Sequence, residues 1–81
     1  MLNPPPAVDE VLDTKGLNCP LPILKVRKAI EKMQAGGILQ VLATDPGAKA
    51  DFEAYCRQTG NELMESSAED GVYTFLIKRA A

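Results

Sequence analysis

The sequence predicts an α+β fold: a two-layer α/β sandwich of order β-α-β-α-β-β, with a four-stranded mixed sheet and two helices on one face. Three observations carry this expectation. Two segments show apolar residues at helical spacing, and each is closed by glycine. Residues 38–43 (ILQVLA) are nearly all apolar, as in a strand buried in the middle of a sheet. The C-terminal run alternates with period two behind an Asp-Gly turn signal. Two helices on one face of such a sheet complete a two-layer core.

The elements follow in order. Residues 1–8 (MLNPPPAV) hold three consecutive prolines and are expected to form a flexible leader, leaving 9–81 as a single domain. A short strand is expected around Val11–Lys15, ended by Gly16. The first helix should run from Pro22 to Gln34, with Ile23, Val26, Ile30 and Met33 facing the core and Lys25, Lys28 and Lys32 facing solvent. Gly36 and Gly37 stop it. Asp45-Pro46 reads as an N-cap followed by proline at the first helical position, opening a second helix that reaches about Thr59 before Gly60. Ala48, Phe52, Tyr55, Cys56 and Thr59 share one side of it. A more weakly patterned strand covers Glu62–Ser67, and Asp70-Gly71 turns the chain. Along Val72–Arg79, Tyr73, Phe75 and Ile77 lie on one face and Val72, Thr74, Leu76 and Lys78 on the other.

Composition narrows the chemistry. The chain has 81 residues, a net charge of −2, two cysteines and no histidine. A domain of this size buries only roughly 60% of its unfolded surface, which leaves little room for a deep substrate cavity. The negative charge disfavours general nucleic-acid binding. Without histidine there is no Ser-His or Cys-His dyad. Two cysteines far apart in sequence make neither a disulfide framework nor a zinc site. No apolar run approaches membrane-spanning length and no secretory signal is visible, so a cytoplasmic location is expected.

The most informative segment is Cys19-Pro20-Leu21-Pro22, one thiol beside the start of the first helix. A helix N-terminus favours a thiolate by about 0.3–1 kcal/mol, and by about 2 when partly buried. The nearby lysines add to this, so the thiol is expected below its ordinary pKa and substantially ionised near neutral pH. Pro20 and Pro22 stiffen the loop. Residues before proline avoid helical geometry, so Cys19 and Leu21 should be extended, with the N–H groups of Leu21, Ile23 and Leu24 available to an anion. Leu24 falls outside the core stripe, between Arg27 and Lys28, and Leu21 is also expected at the surface. Together these residues read as a docking patch beside the thiol. The blander alternatives are a small buried cysteine at a loop–helix junction and two scattered surface leucines. Cys56, mid-helix at the edge of an apolar stripe, should be packed and unreactive.

The stretches LDTKGLNCPLPILKVRKAI, LATDPGAKADFEAYC, GNEL and YTFLIKR, in this order and spacing, resemble the TusA/SirA family of small sulfur-carrier proteins over about residues 11–79. The resemblance implies the same two-layer fold, similar to the C-terminal domain of translation initiation factor three. It also implies that Cys19 carries sulfur as a persulfide, with no metal or organic cofactor. The sulfur would come from a donor such as a cysteine desulfurase or a rhodanese and pass to an acceptor protein, with tRNA thiolation, sulfur oxidation and cofactor synthesis as possible destinations. The family's partner surface maps to Leu21, Leu24, Arg27 and Asp45, and the chain is expected to be a monomer. Two other functions stay open on the residues alone. One is a regulatory interaction module using the surface around Leu24 and Arg27 without sulfur chemistry. The other is RNA binding by the basic helix.

Overall fold

The computed structural model describes residues 8–80. The expected leader therefore lies, apart from Val8, outside the described residues. Six elements follow in the anticipated order: β1 (Glu10–Thr14), α1 (Leu21–Glu31), β2 (Ile38–Ala43), α2 (Ala48–Thr59), β3 (Glu62–Glu69) and β4 (Val72–Lys78). The sheet order is β1-β2-β4-β3. β1 and β2 run parallel, while β2–β4 and β3–β4 are antiparallel. This is the mixed four-stranded sheet that the patterning predicts.

The apolar run of β2 occupies a central strand, but its two faces differ. Leu39, Val41 and Ala43 are buried, whereas Ile38, Gln40 and Leu42 are half-buried on the face without helices. The register sets Leu39 opposite Ile77, Val41 opposite Phe75 and Ala43 opposite Tyr73, so one face of β2–β4 forms the floor of the core. Val26 and Ile30 of α1 and Ala48, Phe52, Tyr55 and Cys56 of α2 pack onto it. Phe52 meets Phe75 edge-to-face at 4.8 Å between ring centres, an arrangement that suits the aromatic quadrupoles. Thr59, expected on this apolar side, is exposed; its hydroxyl donates to the Tyr55 carbonyl at 2.8 Å.

The helix ends differ from the sequence expectation. α1 stops at Glu31 rather than Gln34. Its last turn tightens, with the N–H groups of Lys32 and Met33 donating to the carbonyls of Ala29 and Ile30 at 3.2 and 3.0 Å. The Arg79 guanidinium then donates from Nη1 to the carbonyls of Ile30, Glu31 and Met33. A cation on the orphan carbonyls of a helix C-terminus is favourable on both hydrogen-bonding and dipole grounds. This cap comes from the far end of the chain and has no local sequence signature. α2 ends as expected, with Gly60 left-handed at φ 82 and its N–H on the Cys56 carbonyl at 2.9 Å.

β3 is longer than expected because the hairpin extends it. Asp70 and Gly71 both take positive φ, 52 and 79, which is the type I′ geometry that closes a two-residue hairpin. Glu69 pairs with Val72, and a register shift at Met64 precedes the last pairs with Ile77 and Lys78. Among the described residues no helix is long and apolar enough to cross a membrane. Nor do they bring together three or more His, Cys, Asp or Glu side chains that could hold a metal ion.

Arg79→Ala removes the cap and leaves its carbonyls short of a donor. Net of the exchange with water, a hydrogen bond from a charged group contributes about 1.5–3 kcal/mol. The variant should lose about 1–3 kcal/mol in urea unfolding, and Arg79→Lys should recover only part of it. An unchanged midpoint would show the cap to be energetically idle.

Candidate functional site

Because β1 and β2 are parallel, the loops that leave their C-terminal ends emerge side by side. The β1–α1 loop carries Cys19 and the β2–α2 loop carries Asp45. Three side chains join them. Thr14, fully buried at the end of β1, donates its hydroxyl to the Leu42 carbonyl at 2.6 Å. Thr44 Oγ1 accepts the Gly16 N–H at 2.9 Å. Asp45 makes the decisive link: Oδ2 accepts the Cys19 N–H at 2.8 Å, and Oδ1 accepts the Gly47 N–H at 3.1 Å. The Asp45 carbonyl also accepts the Ala48 N–H at 3.0 Å. Asp45 is thus not the N-cap expected, since α2 begins at Ala48 behind Gly47; it closes the turn before the helix and holds the cysteine loop at the same time.

The motif itself folds more tightly than pre-proline geometry suggests. The Leu21 N–H donates to the Asn18 carbonyl at 2.9 Å, closing a four-residue turn across the cis Cys19–Pro20 peptide. Leu21 is then the first residue of α1 rather than extended, and Pro22 occupies a first-turn position where no intrahelical N–H is required. Pro22 is buried, so this proline pins the helix start to the core. Leu24 N–H donates to the Pro20 carbonyl at 3.3 Å. Two of the three N–H groups expected to face an anion are therefore already engaged.

The thiol's electrostatics reverse the expectation. Cys19 is exposed, yet its pKa is raised. Hydrogen bonding to the Asp51 carboxylate is the largest cause, followed by the Asp51 charge, partial desolvation and the Asp45 charge. Sequence proximity counted only the cations of α1. The fold instead brings the start of α2 to the thiol, with Asp51 in its first turn. Lys25, Lys28 and Lys32 line a groove with Glu10, Leu12 and Ala29, over β1. Sequence reading missed the influence of Asp51 on the thiol, because an acid in the first turn of a helix is ordinarily a dipole partner.

The residues expected to dock a partner divide. Leu21 and Leu24, one helical turn apart, are each 47% exposed and adjoin Cys19. Arg27 lies toward α2 instead, with its guanidinium 5.5 Å from the centre of the Tyr55 ring. Lys28 belongs to the groove over β1. Cys19, Pro20, Leu21, Leu24 and Asp45 therefore form one neighbourhood, flanked on separate sides by Arg27 and Lys28. Cys56 is buried within the core, and burial pushes its thiol upward.

Both thiols thus favour the protonated form, one through acidic neighbours and one through burial. Iodoacetamide at neutral pH should alkylate Cys19 more slowly than free cysteine and leave Cys56 untouched until the chain is unfolded. Asp51→Asn should move the alkylation pH profile of Cys19 downward. A wild-type profile below that of free cysteine would contradict the acidic collar.

Comparison with known proteins bears on this site. Residues 10–79 match the family described as Sulfurtransferase TusA. The chain is 56% identical over 72 residues to the sulfur carrier protein TusA of Allochromatium vinosum, covering 89% of this chain and 95% of that protein. It is 44% identical over 71 residues to the putative sulfur carrier protein YrkI of Bacillus subtilis, covering 88% and 95%. A crystal structure of a SirA-like protein from Desulfitobacterium hafniense superposes with a TM-score of 0.77 at 26% identity, covering 89% of this chain and 99% of that one. With its sequence and fold in agreement along nearly the whole domain, the chain belongs to the TusA family.

Proposed function

We propose that this protein is a sulfur carrier that accepts a persulfide sulfur on Cys19 and relays it to an acceptor protein. The observation that carries the reading is an exposed thiol whose backbone is fixed by Asp45, in a chain whose relatives are named sulfur carriers. A donor protein, such as a cysteine desulfurase or a rhodanese, presents a persulfide. Cys19 takes its outer sulfur, and the donor is left with a thiol. The acceptor step is the same exchange in reverse, so the cycle balances without a metal or organic cofactor. A reducing cytoplasm suits it, since thiols stay free there.

Position explains the division of labour between the cysteines. Exchange needs access as well as nucleophilicity, and Cys19 has access while Cys56 does not. Leu21 and Leu24 provide apolar contact beside the sulfur. A protein donor docks there with its persulfide over Cys19.

Incubation with a cysteine desulfurase and cysteine should add one sulfur atom to the peptide containing Cys19, read by mass spectrometry. Cys19→Ser should abolish the gain and Cys56→Ser should preserve it. Sulfur found only on Cys56 would overturn the assignment. Leu24→Asp should slow transfer from the protein donor at least about tenfold, the effect of losing roughly 1.4 kcal/mol of contact. Full partner binding by Cys19→Ser together with no sulfur uptake by the wild type would favour an interaction module.

A further inference from the structure

We propose that the groove between α1 and the free edge of β1 is a docking site for an acidic, extended segment of another protein, which joins the sheet as a fifth strand beside β1. The inference does not depend on the carrier reading above. Cys19, Leu21 and Leu24 are not among the walls of this groove, so it is distinct from the surface around the thiol.

Four observations lead to it. First, β1 ends the sheet order β1-β2-β4-β3 and has a strand neighbour on one side only. The outer side of such a strand carries backbone N–H and C=O groups without ladder partners. Second, Lys25, Lys28 and Lys32 of the first helix share this groove with Glu10 and Leu12 of β1, and all three lysines are exposed. Leu12 and Ala29 give it a half-buried apolar lining, and Glu10 is its one acid. Third, among the described residues none of these lysines forms an ion pair; the pair present is Lys15 with Asp13. Fourth, the groove measures about 230 Å³, below the roughly 300–1,000 Å³ of small-molecule sites. It suits side chains of a chain lying along it rather than a cofactor.

The two walls call for different chemistry, and one kind of ligand meets both. A free strand edge pairs with an extended backbone, and the main-chain hydrogen bonds supply affinity. The lysines call for carboxylates. Lys25 to Lys32 spans about 10 Å of helix, and side chains on one face of a strand recur about every 6.6 Å. Acids at alternate positions of an added strand therefore face the lysines, and the intervening side chains turn to the open face of the sheet. A second copy of this chain fits poorly. Its other edge strand, β3, sets Glu65 and Glu69 opposite Leu76 and Val72, on the face away from the helices. Continuing the sheet with helices on the same side would point them away from the lysines. RNA would use the lysines but not the strand edge, and the net charge of −2 opposes it. Lysines that served only to guard the edge against self-pairing would bind no peptide.

The test uses fluorescein-labelled octapeptides of four glutamates and four threonines, titrated into the full chain and read by anisotropy at about 50 mM salt, where charge is weakly screened. One peptide alternates the two residues, one gathers them in two blocks, and one is the alternating peptide N-methylated at every second residue. A labelled uridine octanucleotide is the fourth probe. The alternating peptide should bind about tenfold tighter than the blocked and N-methylated ones. Lys25→Glu and Lys28→Glu should each weaken it about tenfold, the effect of roughly 1.4 kcal/mol, while Lys49→Glu on α2 leaves it unchanged. Hydrogen exchange of the β1 amides should slow on binding, with central β4 reporting that each variant is folded. Equal binding of the alternating and blocked peptides, or binding that survives N-methylation, would show plain charge attraction and overturn strand addition. Tighter binding of the oligonucleotide than of the alternating peptide would assign the lysines to nucleic acid and overturn it too. No binding of any probe at about millimolar concentration, a Kd worth less than roughly 4 kcal/mol, would leave the lysines a solvated face and end the proposal. None of these results alters sulfur uptake at Cys19, so the carrier reading stands or falls separately.

Discussion

One carboxylate, that of Asp45, holds the working end of this molecule together. Parallel β1 and β2 deliver two loops to the same edge of the sheet, and each loop exposes backbone N–H groups that need partners. Asp45 accepts one from each, at Cys19 and at Gly47. With the Thr44 hydroxyl on Gly16, this fixes the cysteine loop against the start of α2 rather than leaving it to sway above the sheet. The acidic charge of Asp51 and Asp45 then bears on the thiol and raises its pKa. A positively charged clamp could not accept N–H groups, so the position of the thiol and its acidic surroundings share one cause.

This constraint shapes the kinetics of the carrier. Raising a thiol's pKa makes its thiolate more nucleophilic but scarcer. With a Brønsted slope of about 0.4–0.5, a tenfold loss of thiolate is offset by only about a threefold gain in nucleophilicity. At neutral pH the net effect of the acidic collar is a quiet thiol, and the sequence expectation of an activated one is reversed. A quiet exposed cysteine is protected from oxidation and from unselective exchange, because both follow thiolate character. Rate must then come from groups that act during the exchange, or from a partner that alters the field around Asp45 and Asp51 on docking.

How much of this was legible in the sequence follows from where each signal lies. Element order, the central position of β2, the Gly60 stop and the Asp70-Gly71 hairpin depend on residues that are local in the chain, and they were readable. Exposure of Leu24 followed from helical spacing alone. The Arg79 cap on α1 and the influence of Asp51 on the Cys19 thiol join residues from different elements, and no periodicity announces them. Asp45 was half-read: its turn-closing role is local, while its bond to Cys19 N–H spans the two loops. The early start of α1 is a conflict between local rules. Pre-proline bias argues against Leu21 as helical, but the Asn18–Leu21 turn and burial of Pro22 outweigh it.

Size places a final constraint on how sulfur can move. The accessible surface is 5234 Å², and a standard interface takes roughly 800 Å² per partner. A partner of that kind would cover about 15% of the chain, well beyond Leu21 and Leu24 and onto the acidic rim. On the proposed route through Cys19, donor and acceptor would both have to reach the same sulfur, so their footprints would overlap and the two could not be seated together. The proposed carrier would then have to release one before meeting the other. Tight docking would then work against turnover, since slow release of the donor delays delivery. Two half-exposed leucines flanked by charge would suit that requirement better than a large apolar surface.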